Sequence, residues 1–176
     1  QFGSRQLRQD GTRARILIDL VVNYPGLISN GTAIGGGKSN VYVCNLLVDG
    51  SNSTLANAFG WVGHQYFGYD PTTPASEVYI INCRSIGPIS VASGGMVGEY
   101  AGRGAGTILY ILGCSSAGDV SIAGGGIVGS YAGYDGGTMQ CEKCYSEGPI
   151  QGNFAGGIFG SLAARQGGTA IAQSCY

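Results

Sequence analysis

Cysteine offers the most chemistry in this sequence, and the spacing of its six copies narrows what that chemistry is. Cys141 and Cys144 make a C-x-x-C pair. A structural zinc site wants a second such pair or histidines, and a redox dithiol wants a helix N-terminus to lower the thiol pKa. The sequence offers neither, so no metal ligand set and no cofactor are expected. The other intervals are long and regular. Cys44, Cys83, Cys114, Cys144 and Cys175 stand 39, 31, 30 and 31 residues apart. An even cysteine count in a charge-poor chain favours an oxidising compartment and structural disulfides. The expected bridges are Cys44–Cys83 and two among Cys114, Cys141, Cys144 and Cys175. Each bridge between neighbouring repeats would contribute roughly 3–4 kcal/mol through chain entropy.

The remaining constellations are weaker. His64 is the only histidine. It follows Gly63 where Glu99, Ser130 and Ser161 follow the matching glycines, which reads as an interchangeable surface position rather than a catalytic base. Gly124-Gly125-Gly126-Ile127-Val128-Gly129 has the spacing of a dinucleotide fingerprint, but no helix follows it. Gly37-Lys38-Ser39 resembles a phosphate loop, yet Thr32 stands where the first glycine is needed. Asp49 and Asp119 each fall five residues after a repeated cysteine, but Pro88 and Pro149 take that place elsewhere, so no carboxylate ladder for calcium forms. No nucleophile, base and orienting group share one repeat position, and the chain reads as a non-enzyme. Asn30-Gly31-Thr32 and Asn52-Ser53-Thr54 are acceptor tripeptides for N-glycosylation.

What must position these residues is a tandem repeat. Gly60-Trp61-Val62-Gly63, Gly95-Met96-Val97-Gly98, Gly126-Ile127-Val128-Gly129 and Gly157-Ile158-Phe159-Gly160 share one form. Their first glycines are 35, 31 and 31 residues apart (95−60, 126−95, 157−126). The longer first interval contains a turn-rich insertion, Tyr69 to Pro74. Each unit holds about three short β-prone segments punctuated by glycine, and helix is excluded by the glycines in every window. A unit of this size buries its apolar face only by stacking on its neighbours. The fold expected is therefore all-β: a β-solenoid, parallel β-helix-like, of about four Gly-rich repeats of ~31 residues over 37–176. Right-handed crossovers are expected, and a β-prism or sandwich of hairpins is the competing architecture. Trp61, Met96, Ile127 and Ile158 should form one core column, and Tyr100, Tyr131 and Leu162 another. Residues 1–36 form an N-terminal arm. Its apolar run Ile16 to Tyr24 (Ile16, Ile18, Leu20, Val22, Tyr24) reads as one strand, either a cap on the solenoid or a strand donated to a neighbour.

The repeats resemble the GLUG-motif repeats of bacterial surface proteins, adhesins among them. The resemblance rests on the glycine tetrapeptides and on Asn82-Cys83-Arg84-Ser85-Ile86-Gly87-Pro88-Ile89-Ser90, with related stretches from Gly113 to Ser121 and from Lys143 to Gly152. It covers roughly residues 37–176 and departs in the first unit, where Asn45-Leu46-Leu47-Val48-Asp49-Gly50 follows Cys44. It implies a β-solenoid with a surface or adhesive role, and no catalytic residues.

Composition limits the partners. Glycine supplies 34 of 176 residues and charged residues only 11%, with a net charge of −1, so no broad field would recruit nucleic acid. No apolar run is long enough to span a bilayer as a helix. A start at Gln1 suits a secreted product trimmed of its signal. The last residues, Ser174-Cys175-Tyr176, stop partway through a motif, and Cys175 and Tyr176 with the Ile16–Tyr24 run are candidate assembly contacts. An extracellular, disulfide-bonded subunit of a head-to-tail filament is the expected function. The alternatives are a monomeric adhesin that binds surface glycans through Tyr134 or Tyr145, or, more distantly, a carbohydrate-active β-helix enzyme. Aligned exposed aromatics would favour glycan binding, and clustered acids would favour catalysis.

Overall fold

A computed structural model describes residues 13–72 and 76–176. The polar segment before Arg13 and the Thr73 and Pro74 part of the insertion lie outside the described residues. The described chain is all-β and parallel, a solenoid of about five turns. One sheet is ordered β1-β3-β5-β7-β9, from β1 (Ala14–Leu17), β3 (Leu46–Asp49), β5 (Arg84–Ile86), β7 (Ser115–Ser116) and β9 (Tyr145–Ser146). The other is ordered β10-β8-β6-β4-β2, from β2 (Val41–Cys44), β4 (Glu77–Ile81), β6 (Ile108–Leu112), β8 (Thr138–Glu142) and β10 (Thr169–Gln173). The glycine tetrapeptides add a third side held by single bridges, such as Gly94↔Gly125↔Gly156 and Val97↔Val128↔Phe159.

The strands explain the core. In β4, β6 and β8 burial alternates with period two, so Val78, Ile80, Leu109, Ile111, Met139 and Cys141 point inward. The two strand sides meet at a one-residue corner. Asn45, Asn82, Gly113, Lys143 and Ser174 occupy it in successive coils, all with left-handed backbone at φ 51–61°. There the chain turns tightly enough to send the next residue into the core. Further corners at Ala58, Ala92, Ala123 and Phe154, and at Tyr66, Tyr100, Tyr131 and Leu162, repeat the same conformation.

Register corrects two expected columns. Leu47 pairs with Arg84 and Cys44 with Ile81, so the residue above Cys83 is Leu46, not Cys44. The column reads Ala14, Leu46, Cys83, Cys114, Cys144, Cys175. Its intervals are 32, 37, 31, 30 and 31 (46−14, 83−46, 114−83, 144−114, 175−144). The 39-residue cysteine interval is two residues longer than the coil. Cys44 ends its strand facing outward instead. Likewise Gly60 bridges Gly94, so Val62 aligns with Met96, Ile127 and Ile158, while Trp61 aligns with Gly95. Trp61, Met96 and Ile127 are fully buried and Ile158 is half-buried, but Trp61 is one residue out of that column. Its indole fills the space that Gly50 and Gly87 leave open, and its Nε1–H donates to Pro88 O at 3.2 Å. In later coils the chain closes in at this place: a Cβ on Gly126 would collide with the Ser146 side chain and the Gly157 carbonyl.

The arm is a coil of the same stack. The apolar run stops being strand after Leu17, because Leu20 and Asn23 turn through φ 54° and 57°. β1 pairs in parallel with β3 of its own chain, Tyr24 bridges Leu55 and Ile28 bridges Gly63. Ile16, Ile18 and Tyr24 face inward and are half-buried, whereas Leu20 and Val22 are exposed.

Candidate functional surface

The thiols form a line, not a set of bridges. All six cysteines are free, so the expected Cys44–Cys83 bridge and the two bridges among Cys114, Cys141, Cys144 and Cys175 are not made. Cys83, Cys114, Cys141 and Cys144 are fully buried. Their sulfurs are satisfied by the backbone and by one another. The Cys83 N–H donates to Cys114 Sγ at 3.4 Å, and the Cys144 N–H donates to Cys175 Sγ at 3.4 Å. Hydrogen bonds to Cys144 and Cys83, together with burial, push the Cys114 thiol far above its ordinary range. The Cys141 thiol is pushed up by its hydrogen bond to Cys144 and by burial. Cys144 is pulled down by its hydrogen bonds to Cys114 and Cys141. Among the described residues no three His, Cys, Asp or Glu side chains stand together as a metal site.

His64 packs edge-on against Phe59, with ring centroids 5.4 Å apart. Burial lowers its pKa, opposed by a hydrogen bond to the Gly26 backbone. It lines an open cleft of about 250 Å³ with Ser29, Thr32, Phe59, Gln65 and Tyr66, and among the described residues no nucleophile in that cleft is hydrogen-bonded to it. The glycosylation tripeptides differ in access. Asn30 is buried; its Nδ2 donates to Lys38 O and its Oδ1 accepts from Lys38 N. Asn52 is exposed and its Nδ2 reaches Asp19 at 3.1 Å.

Tyrosine is the residue that lines up. Three stacks follow the solenoid axis. In the first, Tyr42, Tyr79 and Tyr110 cross the outer face of the β10-β8-β6-β4-β2 sheet with centroids 4.6 and 4.8 Å apart and planes within 1° and 9°. In the second, Tyr66, Tyr100 and Tyr131 stack at 5.1 and 4.9 Å, with Leu162 at the next corner. In the third, Tyr145 lies on Tyr176 at 5.2 Å. Tyr134 packs edge-on to Tyr100 and Tyr131, so Tyr134 and Tyr145 belong to different clusters and make no row. A signal for the first stack exists in the sequence: an aromatic stands three residues before the corner at Asn45, Asn82 and Gly113.

In-register strands about 4.8 Å apart put aromatic rings face to face, near van der Waals contact. That geometry stabilises the sheet but hides the ring faces that a pyranose would need. Among the described residues, Tyr42, 58% exposed on strand β2, and Tyr176, 80% exposed, are the exposed stack ends, each with a ring on one face alone. Ion pairs brace the outside. Arg84 grips Glu147 two coils on with both guanidinium nitrogens at 2.6 and 3.0 Å, and Arg15 meets Asp49 at 2.6 Å.

The last described coil is open. Ile158, Phe159, Ala163 and Cys175 are half-buried where Ile127, Val128, Ala132 and Cys144, one coil earlier, are fully covered. Ile171 on β10 is 41% exposed and Tyr176 80%.

The chain matches no family model, no curated protein and no solved structure.

Proposed function

We propose that this chain is a non-catalytic structural protein of the cell exterior whose solenoids join end to end. The observation that carries the reading is that, in these 176 residues, the apolar layer next to β10 is only half-buried. A half-buried apolar layer and an unpaired strand edge are stabilised by one more coil. The occupant we infer is the N-terminal end of a second copy, where β1 and β2 are the outermost described strands. The contact joins two different surfaces, so it propagates as a filament. The resemblance to GLUG-motif surface repeats and the accessible Asn52 tripeptide support an exterior location; free cysteines lend it no support.

Sedimentation of the 176-residue chain over a range of concentrations, with electron microscopy of the same samples, tests this. Concentration-dependent growth into fibres is expected, and Ile171→Glu with Ala172→Glu should return monomers. A wild-type chain that stays monomeric at high concentration rejects the reading in favour of a monomeric surface module.

A further inference from the structure

The three tyrosine stacks sit in different electrostatic company. In the second, the Arg103 guanidinium lies over Tyr69, Tyr100 and Tyr134 at 4.9, 5.7 and 5.5 Å from the ring centroids. In the third, Arg84 Nη1 donates to the Tyr145 hydroxyl at 3.5 Å. A cation beside a ring opposes removal of an electron from it. The first stack is the reverse case. The Tyr79 hydroxyl donates to Glu77 Oε2 at 2.7 Å, and its ring is sandwiched between Tyr42 and Tyr110. Loss of an electron turns a phenol into a strong acid, so oxidation is favoured where a base already holds the proton within hydrogen-bond reach.

We propose that Tyr42 and Tyr79 are an oxidative cross-linking site, joined as dityrosine by hydrogen peroxide and a heme peroxidase before the β2 edge is covered. Tyr42, the exposed ring on the edge strand, is where the oxidant gains access. An electron leaves Tyr42, the vacancy passes through the stacked rings to Tyr79, and the Tyr79 phenolic proton moves to Glu77. A second electron leaves Tyr42, whose proton goes to water. The two phenoxyl radicals form one carbon–carbon bond between ring positions ortho to the hydroxyls. The hydrogens on those two carbons then shift to the phenolic oxygens, and Glu77 releases its proton to solvent. Two electrons and two protons reduce one peroxide to two waters. The partner is Tyr42 rather than Tyr110 because the new bond needs the rings to leave the parallel stack and meet edge to edge. Among the described residues β2 is paired on one side only, whereas β6 is held by β4 and β8.

The test is treatment of dilute protein with the peroxidase and one equivalent of peroxide, followed by proteolysis and mass spectrometry. A peptide pair joining Tyr42 to Tyr79, lighter by two hydrogens and fluorescent as dityrosine, is expected. It should vanish in Tyr79→Phe, persist in Tyr110→Phe and fall severalfold in Glu77→Gln, which keeps the shape of the acceptor but not its basicity. An unchanged yield in Glu77→Gln, a cross-link mapped instead to Tyr145–Tyr176 or Tyr100–Tyr131, or cross-links found only between chains would overturn the assignment.

Discussion

The side-chain amide of Asn82 donates to the amide oxygen of Asn45 at 2.7 Å, and both residues hold a left-handed backbone, at φ 51° and 58°. Arg13 adds two bonds to Asn82, to its side-chain oxygen at 2.8 Å and its carbonyl at 2.9 Å. Asparagine tolerates this conformation better than most residues that carry a Cβ. Asn82→Ala should therefore cost about 2 kcal/mol in urea unfolding, from roughly 1 kcal/mol of backbone strain and about 1 kcal/mol of lost hydrogen bonding. Asn82→Gly should recover the strain part, since Gly113 fills the same corner one coil on.

A close approach of the coil walls allows a harsher substitution. A Cβ on Gly126 meets the Gly157 carbonyl and the Ser146 side chain, and the carbonyl belongs to a backbone held in the bridges on either side. Gly126→Ala is expected to destabilise by about 3 kcal/mol or more. Gly113→Ala meets nothing within 4 Å and bears only the cost of φ 61°. Urea midpoints that ranked the two the other way would contradict the coil-on-coil register.

Stability should fall on mild acidification. The folded pKa of His64 lies below its ordinary 6.5 because burial disfavours the imidazolium. Between those two values the unfolded chain binds the extra proton, so stability is full above the ordinary value and declines as pH drops toward the folded one. Asp49, held low by its hydrogen bonds to Arg15 and Ser51, acts in the same sense below the ordinary carboxylate value of 3.8. Melting temperature measured from neutral pH down to about 5 should show the histidine step, and His64→Gln should flatten it.

Thiol labelling should divide the cysteines. Cys44 and Cys175 are partly exposed, and the other four are buried. Alkylation of the native protein is expected to reach Cys44 and Cys175 quickly and Cys83, Cys114, Cys141 and Cys144 only after denaturation. Equal reactivity of all six would mean the column is not the interior.

The class of fold is legible in the glycine tetrapeptides, because a repeat that cannot bury its own apolar face leaves few architectures. The register in the first coil is not. Counting from Gly60 and Cys44 aligns the wrong atoms, since the insertion near Pro71 hides a two-residue offset at Cys44 and a one-residue offset at Trp61. Side-chain size is what decides it: the coil of Trp61 has room for an indole beside Gly50 and Gly87, whereas Gly95 and Gly126 are closed in. The apolar run from Ile16 looks like one long strand because hydrophobicity does not mark a corner, and Leu20 turns through φ 54° without a glycine to announce it. Cysteine count and spacing suggest disulfides. The same spacing serves buried thiols equally well, because a small apolar residue suits each of those positions. The Tyr79–Glu77 contact follows from a two-residue separation on one strand face, a pattern visible in the sequence once the strand is known.

The ladder of identical corners also governs how the molecule comes apart. Each coil rests on the one before and the one after, so order is lost at a moving boundary, as in a zipper. The boundary is cheapest to start where neighbouring coils share the least apolar contact. At β10 the inward positions are alanines, Ala170 and Ala172, where Met139 and Cys141 fill the coil before. Less apolar contact is lost there when the strand lifts off. The unravelling front then meets Phe159, Val128 and Val97 in turn, and advances against a core that grows firmer toward the indole of Trp61.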